Sequence, residues 1–261
     1  MIKKDTQGVT FAKGFTAAGV KAGIKKSGNL DVAVIYTKTQ AVVAGTFTQN
    51  KVAAAPVYVS KEVVATGTAH AIVANAGCAN ACTGQQGLDD AHKMAQIAAD
   101  ELGVNADDVI VGSTGVIGVN LPMDKLEAGI KDAVANLSAD GSDNAGRAII
   151  TTDTHSKSVT CEFELSGKTV RMGAIAKGSG MIRPNMATML CYITTDIAID
   201  QALLQKAVSG CVEKSFNMIS VDGDMSTNDM VIVLANGEAN NAKITEENTD
   251  YQIFFDKLMM L

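Results

Sequence analysis

Short runs rich in Val, Ile and Thr, each bounded by Gly, Asn or Asp, recur along the chain. They predict strands at 30–37, 41–48, 71–75, 108–112, 158–165, 169–177, 188–195 and 230–235. Apolar residues at helical spacing predict helices over 89–102, 123–137, 200–214 and 251–261. In the first of these, Ala91, Met94, Ala95, Ala98 and Leu102 share one face and Gly103 is a natural stop. In the third, Leu203, Leu204, Ala207, Val208 and Cys211 make the apolar stripe. Ser166-Gly167 predicts a tight hairpin turn. Strands and helices do not alternate regularly, so the order predicts an α+β fold with helices layered on sheets. There is no internal repeat and no low-complexity linker.

Composition narrows the function classes. The 261 residues are 47% hydrophobic and 19% charged, as in an ordinary globular chain. A net charge of -6, with no dense Lys/Arg cluster, argues against nucleic acid. So do the absence of Trp and an aromatic content of 4%. No run reaches the length of a membrane span, and the polar start Met1-Ile-Lys-Lys-Asp predicts no secretory leader. The five cysteines are odd in number and sit mostly in apolar contexts, which predicts reduced, buried thiols in a cytoplasmic protein.

The chemistry concentrates in Lys177-Gly-Ser-Gly180-Met-Ile-Arg-Pro184-Asn185-Met-Ala187-Thr188-Met-Leu190. Lys177 closes one predicted strand and Thr188 opens the next. If those strands are antiparallel neighbours, both residues sit at one sheet end. Gly178 and Gly180 permit close backbone approach, and Pro184 biases Arg183 to extended geometry. Such a loop can press the Thr188 hydroxyl onto the Ala187 carbonyl, giving an ester that water splits. The new Thr188 would hold its hydroxyl beside its own α-amine. An α-amine, with a pKa of about 7.7–8.0, is substantially neutral near physiological pH, whereas a lysine at about 10.4 is almost wholly charged. The amine is therefore the better base, and Lys177 is the cation that holds a carboxylate or steadies developing charge. Taken by composition alone, Thr188 merely starts a buried strand.

Other motifs are weaker. Gly112-Ser113-Thr114-Gly115 follows a short strand and could expose backbone N–H groups to an oxyanion, or be a plain turn. Asn75-Ala-Gly77-Cys78-Ala-Asn80-Ala-Cys82-Thr83-Gly84 reads as a polar loop whose Asn side chains bind ligand or satisfy the backbone. Asp222-Gly-Asp224-Met-Ser226-Thr-Asn228-Asp229 resembles a calcium loop but lacks its Gly and its bidentate Glu, so it reads as a structural turn near the site. No metal site is expected. His70, His92 and His155 show no motif spacing, and His92 falls on the polar side of its helix.

These segments together resemble the ornithine acetyltransferases, or bifunctional glutamate N-acetyltransferases. The long Lys177–Leu190 motif is similar to their self-cleavage motif. Asn80-Ala-Cys-Thr-Gly84, Gly112-Ser-Thr-Gly115, Thr151-Thr-Asp-Thr154 and Ser220-Val-Asp-Gly-Asp224 with Ser226-Thr-Asn-Asp229 fit the family in the same order. The resemblance implies a layered α/β/β/α sandwich of the DmpA-like type. It implies cleavage between Ala187 and Thr188, leaving an α fragment, 1–187, and the start of a β fragment, 188–261. It implies acetyl transfer from N-acetylornithine to glutamate by a ping-pong route through acetyl-Thr188, in arginine biosynthesis. By match of motif, Thr114 and Gly115 would form the oxyanion hole, and Thr151, Lys177 and Thr188 would contact substrate. No cofactor is implied. Acetyl-CoA as a further co-substrate, which would make the enzyme an amino-acid N-acetyltransferase as well, stays open. The cleaved fragments would assemble as a heterotetramer of two α and two β pieces. Family members also continue further, with a Glu in an Asp-Gly-Glu-Gly-type motif and a C-terminal substrate-contacting Asn. The apolar end 254–261 accordingly reads as a helix cut short. Two alternatives remain at this point: an N-terminal-nucleophile aminopeptidase or amidase of the same architecture, and an inactive shortened chain with exposed Phe254, Phe255 and Leu258.

Overall fold

The computed structural model describes residues 2–181 and 189–261. Ala187 and Thr188, with the rest of 182–188, lie outside the described residues. The strands are β1 (Lys3–Lys4), β2 (Phe15–Val20), β3 (Val32–Phe47), β4 (Thr68–Cys78), β5 (Val109–Val116), β6 (Lys157–Leu165), β7 (Lys168–Lys177), β8 (Leu190–Thr195) and β9 (Met230–Ala235). The helices are α1 (Ala55–Thr66), α2 (Gly84–Leu102), α3 (Met123–Ala135), α4 (Ser142–Ile149), α5 (Gln201–Glu213) and α6 (Thr249–Met260).

Among the described residues the strands form one hydrogen-bonded sheet in the order β1-β6-β7-β8-β9-β3-β4-β5, with β2 also on β3. β3 explains the shape. Its first half pairs with β2 and β4, its second half with β9, and the register shifts between Tyr36 and Ala41. An irregularity of this kind bends a strand and sharpens its twist. The sheet therefore turns at β3 and folds over itself into two leaves, β2-β3-β4-β5 against β6-β7-β8-β9. The leaves touch directly. A Cβ added at Gly112 on β5 would lie 2.1 Å from the Tyr192 hydroxyl on β8, and these strands are not sheet neighbours.

Side-chain alternation sorts the layers. Ile35, Ile72 and Ile110 from one leaf meet Ile175, Tyr192 and Ile232 from the other in the central core. The intervening Val34, Val73 and Val111 face Met94 and Ala98 of α2 and Leu126 and Ile130 of α3. On the opposite side Cys191, Ile193, Val231 and Val233 face Leu204 and Val208 of α5 and Phe254 and Leu258 of α6. Strands buried on both faces read as unbroken apolar runs, which is why Met230–Ala235 stands out in the sequence. The result is the expected α/β/β/α sandwich.

Several expectations are corrected. The two strands at 30–37 and 41–48 are one bent strand, because exposed Lys38, Thr39 and Gln40 mark the bend and not a turn. Ser113–Gly115 lies inside β5 and not in a turn after it. The polar stretch 75–84 is divided: Asn75 to Cys78 finish β4, and α2 begins at Gly84. Cys82 is exposed, since it sits in the short link between them, whereas Cys78, Cys161, Cys191 and Cys211 are buried. Phe254 and Leu258 are buried against α5 and the sheet, not exposed. The Ser166-Gly167 turn is as expected, with positive φ at both residues and β6 antiparallel to β7 around it. His92 is exposed.

Candidate active site

Strand direction gathers the site at one end of the sandwich. β4 and β5 run parallel and finish together at Cys78 and Val116. β7 finishes at Lys177, opposite Leu190, the first residue of β8. β8 runs parallel to β9, so Leu190 also pairs with Met230. A hydrogen bond joins the two leaves here: the Lys177 ammonium donates to the Thr114 hydroxyl at 3.1 Å. Lys177 is 3% exposed and Thr114 is 5% exposed. The cleft they floor has a volume of about 670 Å³, and Gly115, Thr151, Gly77 and Lys25 line its walls.

Glycine is required at 115. Its φ is +135°, and a Cβ there would lie 2.4 Å from the Gly77 carbonyl carbon. The β4–β5 register shifts at Gly77 and Cys78, so the two backbones meet irregularly at the cleft floor. Asn75 and Asn80 serve the backbone. Asn75 donates to the Cys78 carbonyl at 2.9 Å and accepts from the Ser113 hydroxyl at 2.6 Å. Asn80 donates to the Gly87 carbonyl at 2.8 Å. Asn228 donates to the carbonyls of Ala79 (2.7 Å) and Ser113 (2.9 Å), tying the loop before β9 to the ends of β4 and β5. That loop is the stretch read as a structural turn near the site. Ser226, Thr227 and Asn228 line the cleft, and among the described residues no cluster could hold a metal ion.

The electrostatics centre on Lys177. Burial pushes its ammonium below the ordinary lysine range, and Asp153 and Asp229 oppose that shift while Lys157 adds to it. Burial raises the Asp229 carboxyl to about 7, although the Met189 N–H, the Ser226 hydroxyl and the Lys177 charge pull it down. For Asp153 burial also works upward. The Lys157 ammonium, the Gly178 N–H and the Lys177 charge outweigh it and hold the carboxyl below its usual range. Asp229 and Asp153 each keep one buried oxygen without a hydrogen-bond partner among the described residues.

Lys25 escaped the sequence reading, as did Asp153 and Asp229 as individual groups. The Lys25 ammonium donates to the carbonyls of Leu30 (2.6 Å) and Ala148 (3.0 Å). Burial, with the Lys177 charge, brings it down to about 8 against the pull of Asp31 and Asp153. Asp31 in turn accepts the N–H groups of Ala22, Ile24 and Lys25, which sets the loop over the cleft. Nothing in a lone Lys-Lys-Ser-Gly stretch signals this. Asp153 stands in the Thr151–Thr154 motif and Asp229 in the stretch that resembles a calcium loop, and neither was given a role of its own. Of the residues expected to act, Thr114, Gly115, Thr151 and Lys177 meet in one cleft. Ala187 and Thr188 lie outside the described residues, between Met181 at the cleft edge and Met189 beside Asp229.

Comparison with known proteins bears on the family and the fold. A relative from Symbiobacterium thermophilum, the arginine biosynthesis bifunctional protein ArgJ, is 51% identical over 253 residues, covering 96% of this chain and 63% of its own length. The chain thus spans less than two thirds of that relative. The solved ornithine acetyltransferase from Mycobacterium tuberculosis, complexed with ornithine, superposes with a TM-score of 0.66 at 40% identity, covering 73% of this chain and 99% of that one. The L-aminopeptidase D-Ala-esterase/amidase from Ochrobactrum anthropi, described as a variant of the Ntn hydrolase fold, shares the fold alone. Its TM-score is 0.57 at 11% identity, over 97% of this chain and 84% of that one. The sequence profile of the ArgJ family matches residues 16–261, and the chain belongs to that family.

Proposed function

We propose that this chain is the acyl-transferring part of a glutamate N-acetyltransferase in arginine biosynthesis, acting in the cytoplasm after cleavage between Ala187 and Thr188. The observation that carries the reading is the buried Lys177 ammonium, 3.1 Å from the Thr114 hydroxyl, at the sheet end where β8 begins. Low local dielectric makes such a cation effective toward an amino-acid carboxylate or a developing negative charge. The M. tuberculosis relative is named for acetyl transfer and is complexed with ornithine; glutamate as acceptor follows from the motif resemblance.

In the proposed sequence the Thr188 hydroxyl attacks the acetyl carbonyl of N-acetylornithine and passes its proton to its own α-amine. Backbone N–H groups at Thr114 and Gly115 hold the tetrahedral oxygen. The amine returns the proton to the departing ornithine nitrogen, leaving an acetyl ester on Thr188. The glutamate amine then attacks that ester and frees the hydroxyl. Thr151 and Lys177 contact the amino-acid portions. No cofactor enters, and acetyl-CoA is an optional further donor. Division into 1–187 and a piece starting at 188 is supported by coverage. The M. tuberculosis chain is matched almost completely by 73% of this one, and 187 of 261 residues is about 72%. The pieces would pair as two α and two β.

Intact-mass measurement before and after adding N-acetylornithine tests the reading. The parent chain should show two pieces and one acetyl group on the piece that starts at Thr188. Thr188→Ala should show a single uncut chain without acetyl. An acetylated or normally cut Thr188→Ala chain refutes the proposal. Glutamate competing with water for the ester separates a transferase from an amidase.

A further inference from the structure

The walls of the cleft carry charge of one sign. Lys25, Lys26 and Lys177 line it, and among the described residues no Asp or Glu does. The chain as a whole has a net charge of -6, so this excess of cations is local to the cleft. Two of the three lysines are fixed in place. Lys177 is buried on the floor, on the Thr114 hydroxyl. Lys25 is half-buried in the loop over the cleft, and that loop is tied down twice. Asp31 accepts its N–H groups, and the Lys125 ammonium of α3 donates to the Gly23 carbonyl at 2.9 Å.

Both described hydrogen bonds of the Lys25 ammonium go to neutral carbonyls, those of Leu30 and of Ala148 on α4. An ammonium has three N–H donors. One donor is therefore left over, on a charge that no described carboxylate bonds directly. A partly desolvated charge in that state is satisfied best by an anion. Lys25 and Lys177 are also close enough that the charge of one lowers the other. An anion between or beside them relieves that repulsion.

We propose that Lys25 is an anion-binding residue of the cleft, donating its third N–H to the side-chain carboxylate of an amino acid whose α-carboxylate lies on Lys177. The proposal rests on the reading of this cleft as an acetyltransferase site with glutamate as acceptor, and it names the group that separates glutamate from its uncharged amide, glutamine. The charged groups around Lys25 are Asp31 just before β3, Asp153 before β6, Lys177 on β7 and Lys125 on α3, which reaches the same loop.

Calorimetric titration of the full chain with L-glutamate and with L-glutamine, across pH, tests this. The two ligands share an amine and an α-carboxylate, so the ratio of their affinities isolates the side-chain group. A lysine that merely ties the loop to α4 would leave that ratio alone. The parent should prefer glutamate by about tenfold near neutral pH, the size of one charge-assisted hydrogen bond. Lys25 loses its proton at about 8, so the preference should fade as pH rises through that value. Lys25→Arg, charged throughout, should keep the preference above it, and Lys25→Met should lack it at every pH. Equal affinities in the parent, a preference that is flat through pH 8, or one that survives in Lys25→Met overturns the proposal. So does failure of the parent to bind either amino acid. Should Lys25→Met fail to fold, the pH dependence of the parent decides. A chain that takes up acetyl from N-acetylornithine yet shows no preference keeps the functional reading and loses this one. A chain that takes up no acetyl yet shows the pH-dependent preference loses the transfer chemistry and keeps Lys25 as an anion contact.

Discussion

At the scale of single residues, Asp229 has a measurable effect on stability. Its carboxyl lies at about 7 in the folded chain and at 3.8 when unperturbed. The folded state therefore binds that proton more tightly than the unfolded state. The associated stabilisation is complete below about pH 4 and is lost as pH rises through about 7. A shift of this size corresponds to about 4 kcal/mol at most. An Asn at 229 cannot titrate. Urea unfolding of the parent and of Asp229→Asn should show the parent losing stability relative to the variant between about pH 4 and pH 7.5, up to that amount. Curves that stay parallel across this window would mean that the carboxyl is not raised. None of this was legible in the sequence. An Asp before an apolar strand looks like an ordinary boundary residue, and only burial in the folded chain raises its carboxyl. Thr114 and Lys177 were legible because each stands among glycines at a strand end. Asn75 and Asn80 left two roles open, and their hydrogen bonds assign them to the backbone.

At the scale of elements, the cleft floor depends on how closely β4 and β5 approach at Gly115. Gly115→Ala should push Gly77 away, because a backbone carbonyl cannot swing aside as a side chain can. Together with the strain of φ +135°, a cost of about 1–3 kcal/mol or more is expected, seen as a lower urea midpoint. An unchanged midpoint would show that the floor adapts. Long doubly buried strands and the amphipathic α2, α3 and α5 were visible in the pattern of apolar positions. Four elements were not, the two-residue β1 among them. α1 is built around Val57, Val59, Val63 and Val64, whose branching masks a helix. Pro56 in its first turn and left-handed Gly67 at its end were the available signals. α4 has only eight residues, and its Ser-Asp-Asn start reads as a loop. β2 is short and rich in Ala and Gly, so its apolar face is faint although Ala17 and Ala18 are buried.

At the scale of the whole molecule, the two-leaf sandwich was legible only through resemblance, because a pairing such as Val42 with Ala235 leaves no local mark. The apolar stretches show that strands exist, not that β3 belongs to both leaves. β8 lies inside the sheet, antiparallel to β7 on one side and parallel to β9 on the other, although a break at 187–188 would sever its covalent link to β7. Such a molecule would be a bimolecular complex wearing the shape of a monomer. Its midpoint of reversible unfolding should then rise with protein concentration, whereas an unbroken Thr188→Ala chain should melt at the same point at every dilution.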